Sequence, residues 1–387
     1  MQASHDPDAF PATLPAMTRR VAILGCTGSI GQQALDVVDA LNQNGGEHYE
    51  VVALSAHRNK DKLDEAAARW PKAKAVLSSE DPAALQDLAA GDCDIVVHGV
   101  LGAAGLRASM AAARAGKHLA LANKESLVIA GPLLMREAEA NDATLLPIDS
   151  EHSAIFQAMQ AGRREDVARV LLTASGGPFR TWPRQKMAAA TVEQALDHPT
   201  WSMGGAITID SATMFNKAME YLEAVRLFDL PPEQIEVVIH PQSIVHSMVE
   251  YVDGSTIAQL SPPDMKLPIA YAMTHPHRRP CGAKRMDWTK AVDLNFEPPD
   301  DEQFPALRLA RRAAEAGGTM PAVLNAAKEV ATACFMDRRL RFGDIAAVVE
   351  RVMDAPAEGE ASSLEGLLEA DAGARAAARQ TCSSLAG

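Results

Sequence analysis

Positive charge is in short supply in this chain. Its 37 lysines and arginines face 50 aspartates and glutamates, for a formal net charge of −13. That deficit excludes a basic, phosphate-tracking nucleic-acid binder and a protein held to an anionic membrane surface, and leaves small molecules or protein as partners. Cysteine is also sparse. Cys26, Cys93, Cys281, Cys334 and Cys382 form no Cys-x-x-Cys pair and no cluster with histidine at zinc spacing, so a structural zinc is not expected and a reducing compartment fits. No run approaches the ~18 consecutive apolar residues of a membrane span. Residues 1–18, MQASHDPDAFPATLPAMT, lack the basic stretch and apolar core of a signal peptide, and read as a flexible tail on a cytoplasmic protein.

What is present is an ordinary globular composition, with 47% hydrophobic and 22% charged residues, which disfavours disorder and coiled coils. At 387 residues the chain exceeds the roughly 250–300 at which one hydrophobic core stops growing, so two or three domains are expected. In RRVAILGCTGSIGQQALDVVDAL a short apolar run, Val21 to Leu24, meets a glycine cluster and then a helical pattern through Ala34, Leu35, Val38 and Leu41. Further strand candidates follow at 49–56, 74–79, 94–102, 118–127 and 144–151, with helical stretches between. This alternation predicts a mostly parallel, doubly wound α/β domain of the Rossmann type over 19–148.

Beyond Glu151 the pattern changes to an α+β arrangement over 149–277. Strands are expected at 168–175 and 236–241, followed by a hairpin around Asp253-Gly254. The proline- and glycine-bearing segment 176–206 reads as a mobile binding loop or lid. A linker at 278–300 then leads to an alanine- and arginine-rich helical domain at 301–387.

Three groups of residues carry chemistry. Gly25, Gly28 and Gly31 recur at a strand-to-helix junction, where glycine lets backbone approach a pyrophosphate at a helix N-terminus; a tight structural turn would use the same residues. The second strand ends in SAHRNK, with Arg58 and Lys60 and no acid before Asp61. This favours NADP over NAD, although a solvated loop tip fits equally well. Asp149 and Glu151, two apart at a strand end, suit a hard divalent cation, whereas Asp149 or Ser150 as a helix N-cap is the plainer alternative. On IDSATMFNKAMEYLEA, Asn216 and Glu220 share a helix face. Ser211, Thr213, Asn216 and Lys217 there supply the donors a phosphate or sugar needs; a capped amphipathic helix with a solvated Lys217–Glu220 pair is the alternative.

Together GCTGSIG, LANKESLV, PIDSEHSAIFQ, TASGGPFR, HPTWSMG, IDSATMFNKAMEYLEA, HPQSIVHSMVEY and LNAAKEVA resemble, in order and spacing, 1-deoxy-D-xylulose 5-phosphate reductoisomerases. The resemblance runs from about residue 19 into the final helical domain. It implies NADPH-dependent rearrangement and reduction of 1-deoxy-D-xylulose 5-phosphate to 2-C-methyl-D-erythritol 4-phosphate in the non-mevalonate isoprenoid pathway, through retro-aldol cleavage and re-addition. It also implies a homodimer and a divalent metal, Mg²⁺, Mn²⁺ or Co²⁺.

By motif, the resemblance implies that Thr27, Gly28, Ser29 and Ile30 contact the NADPH phosphates and that Arg58 and Asn59 contact the adenosine 2′-phosphate. Asn123, Glu125 and Gly204 would lie nearer the nicotinamide. Asp149, Glu151 and Glu220 would hold the metal. Lys124, Ser150, Ser175, His198, Ser211, Asn216 and Lys217 would contact substrate beside Glu151 and Glu220, and Trp201 would cover it. Lys124, Asp149, Glu151 and Glu220 would be catalytic. The chain departs from the family pattern at His57, where glycine is common, and at Gly205 and Ala206, where basic residues are common. A metal-independent semialdehyde or homoserine dehydrogenase would leave the three acids unexplained, as would a non-catalytic NADP-binding module.

Overall fold

The computed structural model describes residues 18–201, 204–356 and 359–385. The expected tail therefore lies outside the described residues except for Thr18, which already begins the first strand. Six strands, β1 (Thr18–Leu24), β2 (His48–Ala56), β3 (Lys74–Leu77), β4 (Ile95–His98), β5 (His118–Leu121) and β6 (Thr144–Pro147), form one sheet in the order β3-β2-β1-β4-β5-β6. Every pairing in it is parallel. This is a doubly wound order, with its switch point between β1 and β4.

The apolar run of β1 explains why the sheet is covered on both faces. Val21, Ala22, Ile23 and Leu24 are all fully buried. Alternate side chains leave opposite faces of a strand, so Val21 and Ile23 join a core with Ala34, Leu35 and Val38 of the helix Ser29–Gln43. Ala22 and Leu24 join another with Leu106 and Leu127. Because consecutive β-strands are linked through helices, their C-terminal ends lie along one edge, where ligands of such sheets bind.

The second sheet is four-stranded, in the order β10-β9-β7-β8, from β7 (Val167–Ala174), β8 (Ile235–Ile239), β9 (Val245–Tyr251) and β10 (Thr256–Leu260). β9 and β10 form the expected antiparallel hairpin. Gly254 supplies its left-handed residue at φ +85°, and Asp253 Oδ1 accepts the Ser255 N–H at 2.8 Å. The next helix, Lys266–Thr274, leaves this sheet and buries Ile269, Ala270, Ala272 and Met273 against the first domain's core. The chain thus crosses back to the nucleotide-type sheet before residue 277, because the apolar side chains of this helix complete the cover over β5 and β6 beside the helix Ser29–Gln43.

Helices Ala306–Ala316, Met320–Met336, Ile345–Asp354 and Leu364–Leu385 make up the C-terminal layer. Ala322, Ala326, Ala327 and Ala331 of Met320–Met336 are fully buried, so small side chains bring helix backbones close there. That layer also anchors much of 176–206, which is less irregular than its composition suggests. Phe179 is fully buried and meets Phe342 edge-on at 4.9 Å. Short helices form at Arg184–Ala188 and Val192–Leu196, the second closed by a Thr191/Gln194 capping box. After Leu196 the segment runs without regular structure to Trp201, and the helix Gly205–Ala212 follows.

Candidate functional site

The site lies where the C-terminal ends of β1, β4, β5 and β6 meet the helix Phe215–Leu227 and the segment after β7. After β1, Gly25 adopts φ +83°, and a Cβ there would stand 2.8 Å from the Gly99 carbonyl oxygen. At Gly31 a Cβ would overlap the Gly25 carbonyl oxygen. Glycine at 25 and 31 is thus demanded by the turn itself, as the structural reading held. Gly28 is the N-cap of Ser29–Gln43 and provides no side-chain cap, so the N–H groups of the helix's first turn face outward, ready for an anion. The structural demand for glycine at 25 and 31 leaves this helix start open for an anion.

Arg58 and Asn59 follow β2 at the same edge. Asn59 caps the helix Lys60–Arg69 by accepting the Lys62 N–H. Lys60 is taken up by Asp64, while no described residue hydrogen-bonds or pairs with the exposed Arg58 side chain.

After β5, Asn123 is fully committed. Its Oδ1 accepts the Ser126 N–H at 3.0 Å and its Nδ2 donates to the carbonyls of Val100 at 2.8 Å and Gly102 at 3.0 Å. The Nδ2 also donates to Glu125 Oε2 at 2.8 Å. The cap sets the first turn of the helix Lys124–Ala140 and aims Lys124 inward. After β6, Asp149 caps the helix Ser150–Met159, its Oδ1 accepting the N–H groups of Glu151 and His152 at 3.1 and 3.2 Å. Asp149 is thus an N-cap, and the cap uses only Oδ1, while Oδ2 accepts from Lys124 within the acid cluster.

The three acids converge. Asp149, Glu151 and Glu220 each offer a carboxylate oxygen, all within 4.8 Å of one another. Two lysines lie among them. Lys124 Nζ donates to Asp149 and stands 3.2 Å from Glu220 Oε1; Lys217 Nζ donates to Glu220 and stands 3.2 Å from Glu151 Oε1. Asn216 Nδ2 donates to Glu220 Oε1. Lys217 and Glu220 are 4% and 1% exposed, so their i,i+3 pair forms but is buried, not solvated. The helix carrying them is buried on nearly every side by the sheet, the C-terminal layer and Lys124–Ala140.

The charges settle accordingly. Burial alone would raise the Asp149 carboxyl, but the Lys124 ammonium overrides it and holds Asp149 below the usual carboxylate range. Burial would also lower Lys124; Asp149, Glu220 and Glu223 instead keep its ammonium well above the ordinary lysine value. Burial, followed by the Glu220 and Asp149 charges, pushes Glu151 up to about 7 despite Lys217. With three carboxylates facing two ammonium ions, Glu151 is therefore the acid of the cluster that most readily takes up a proton. An all-oxygen donor set with surplus negative charge is what a hard divalent cation requires.

A second group of donors lies beside the acids. His198 Nδ1 accepts the N–H groups of Thr200 and Trp201 at 3.1 and 2.9 Å, which leaves the ring proton on Nε2. Nε2 stands 3.2 Å from Ser175 Oγ and 3.1 Å from Ser211 Oγ. Burial lowers the His198 pKa, so the ring stays neutral with its Nε2 proton directed at the two hydroxyls. Three neutral donors next to Lys217 and Asn216 suit a phosphate.

A cavity of about 470 Å³ joins these groups. It takes in Ser29, Ile30, Lys124, Asp149, Ser150, Glu151, Ser175, His198, Trp201, Gly204, Ser211, Asn216, Lys217 and Glu220 of the expected residues. Thr27, Gly28, Arg58, Asn59, Asn123 and Glu125 lie outside it. Gly204 is the N-cap of Gly205–Ala212 and supplies no side-chain cap; with Gly205 and Ala206 next, that helix start carries no cationic side chain.

Sequence reasoning missed Glu223 and His152. Glu223 Oε2, buried, stands 3.6 Å from Lys124 Nζ and 3.8 Å from His152 Nδ1. His152 Nε2 donates to the Glu220 carbonyl at 2.9 Å, tying the two acid-bearing helices together. The signal was available, since Glu223 falls three residues after Glu220 on one helix.

Sequence models of the 1-deoxy-D-xylulose 5-phosphate reductoisomerase family match residues 21–90 and 78–131, and models of its C-terminal domains match 145–228 and 260–377. The chain is 50% identical over 394 aligned positions to the enzyme so named from Cupriavidus metallidurans, covering 95% of this chain and 100% of that one. It is 49% identical to its counterpart from Caulobacter vibrioides, covering 87% and 88%. In structure it is similar to the Zymomonas mobilis reductoisomerase solved with NADPH, with a TM-score of 0.87 at 42% identity over 95% of this chain and 100% of that chain. A DOX-P reductoisomerase solved with NADPH, fosmidomycin and magnesium gives a TM-score of 0.86 at 38% identity, over 94% and 98%.

Proposed function

Since the chain belongs to the 1-deoxy-D-xylulose 5-phosphate reductoisomerase family, we propose that it converts 1-deoxy-D-xylulose 5-phosphate to 2-C-methyl-D-erythritol 4-phosphate with NADPH and a divalent metal, as a step of isoprenoid synthesis. The observation that carries this reading is the convergence of Asp149, Glu151 and Glu220 beside the neutral donors Ser175, His198 and Ser211. One cluster suits the oxygens of a hydroxyketone's metal, the other its phosphate.

The chain's residues divide the work. Ser175, His198, Ser211, Asn216 and Lys217 would grip the phosphate, and Trp201 would cover the sugar and exclude water. Ser150, at the start of its helix, would meet a sugar hydroxyl. Lys124, protonated among carboxylates, would stabilise negative charge growing on a substrate oxygen. Bound at Asp149, Glu151 and Glu220, a divalent ion would supply Lewis acidity, and NADPH would supply the hydride. Thr27, Gly28, Ser29 and Ile30 would hold the cofactor's phosphates at the helix N-terminus. Arg58 and Asn59 would receive the 2′-phosphate, and Asn123, Glu125 and Gly204 would border the nicotinamide end.

We assign the domains as 19–148 for NADPH and 149–277 for catalysis, with 278–300 linking them to the helical 301–387. A homodimer is consistent with β10. β8 is covered by an antiparallel bridge from Ile239 to Glu297, whereas β10 ends the sheet with no further strand beside it among the described residues. The acidic, cysteine-poor composition fits a cytoplasmic location, and no described helix is long and apolar enough to cross a membrane.

Incubation with 1-deoxy-D-xylulose 5-phosphate, NADPH and Mn²⁺ tests the function. Consumption of NADPH with formation of the branched polyol phosphate is expected. Oxidation of NADPH without carbon rearrangement would overturn the reading.

A further inference from the structure

We propose that Lys328, on the C-terminal helix Met320–Met336, is a positioning residue for the anion cradle, fixing through Asp210 the helix that carries Ser211. The inference rests on the cradle reading above. Lys328 Nζ donates to Asp210 Oδ2 at 2.7 Å, and Thr332 Oγ1 donates to Asp210 Oδ1 at 3.2 Å. Both oxygens of one carboxylate are thus held by two side chains a single helical turn apart. Lys328, Thr332 and Asp210 are 5%, 3% and 8% exposed.

A buried ion pair is weak evidence for stability, because desolvation offsets most of its attraction. What it supplies here is location. The helix Gly205–Ala212 spans eight residues, too short to be stable alone. It starts on Gly204 and Gly205 without a side-chain cap, and at its other end the chain turns through Met214 at φ +64°. Its C-terminal end is closed by Thr213 Oγ1, which donates to the carbonyls of Ile209 and Asp210, so the Asp210 side chain is left to take its partners from outside the helix. Asp210 is the residue before Ser211, whose Oγ must lie 3.1 Å from His198 Nε2. Asp210 therefore gives the C-terminal layer a polar hold on this helix one residue from the cradle. The helix carrying Lys328 also packs against Lys124–Ala140, the helix that carries Lys124.

Calorimetric titration of the full-length protein with inorganic phosphate tests this without requiring turnover. Lys328→Met is expected to weaken phosphate binding roughly ten-fold, because a displacement on the order of 1 Å of a positioned group has effects of that size or larger. In Lys328→Met/Asp210→Asn the unpaired buried carboxylate is gone, so Tm returns towards the unaltered protein while phosphate binding stays weak. Binding within about two-fold of the unaltered protein in both variants would overturn the proposal. Recovery of binding together with Tm in the double variant would overturn it too, since the pair would then serve only to neutralise charge. Turnover of the sugar phosphate by the unaltered protein reports separately on the reaction: phosphate binding that depends on Lys328, without turnover, keeps the positioning role and rejects the activity.

Discussion

Nζ of Lys217 lies 3.2 Å from Oε1 of Glu151 and also donates to Glu220, so an ammonium ion stands between two of the three converging carboxylates. Together with Lys124 it holds the acids in place when no other cation is present. Glu220 is the member both lysines share.

Glu220→Gln removes the shared charge and keeps the shape. Divalent-ion affinity is expected to fall about 100-fold or more, with turnover falling in parallel. Titration with Mn²⁺ and steady-state rates at saturating metal measure the two. Unchanged activity at saturating Mg²⁺ would remove Glu220 from the metal triad. Tm should not drop, because each lysine retains a second carboxylate.

Glu151 gives the metal-free protein a pH signature. Its folded pKa of about 7 lies above the ordinary 4.5, so its contribution is fully present below pH 4.5 and is lost as pH rises through about 7. Thermal melts of Glu151→Gln against the unaltered protein should therefore diverge in favour of the variant across that window. Saturating Mg²⁺ should reverse the difference. Parallel pH profiles would show that Glu151 is not raised.

His198→Ala removes the Nε2 proton shared by Ser175 and Ser211. The KM for the sugar phosphate is expected to rise roughly ten-fold or more, with the KM for NADPH little changed. In the unaltered protein, acidification through the ordinary histidine range should leave that KM steady, because burial lowers the His198 pKa and the Thr200 and Trp201 N–H groups occupy Nδ1. A KM for NADPH that rose equally would show a general collapse of the loop instead.

Arg58→Ala tests the cofactor end. Arg58 is exposed and has no partner among the described residues, so its loss should leave Tm unchanged. The KM for NADPH should rise about ten-fold while that for NADH stays constant, since only the former has a 2′-phosphate to pair. An unaltered NADPH preference would place the 2′-phosphate elsewhere.

The sequence by itself determined the local features. The run Val21 to Leu24, the glycines at 25 and 31 and the alternating strands specified a parallel sheet, because each depends on side chains within a few residues of one another. Asp149 and Glu151 could likewise be picked out as paired acids. Their meaning could not, since a cap and a ligand use the same residues, and only the structure shows Asp149 capping with Oδ1 while Oδ2 accepts from Lys124. The burial of Lys217 and Glu220, the docking of Phe179, the return of Lys266–Thr274 to the first sheet and the reach of Lys328 to Asp210 were all decided by tertiary packing. Each joins segments far apart in the chain, 118 residues in the case of Lys328 and Asp210, and helical or strand periodicity carries no record of which distant face a side chain will meet.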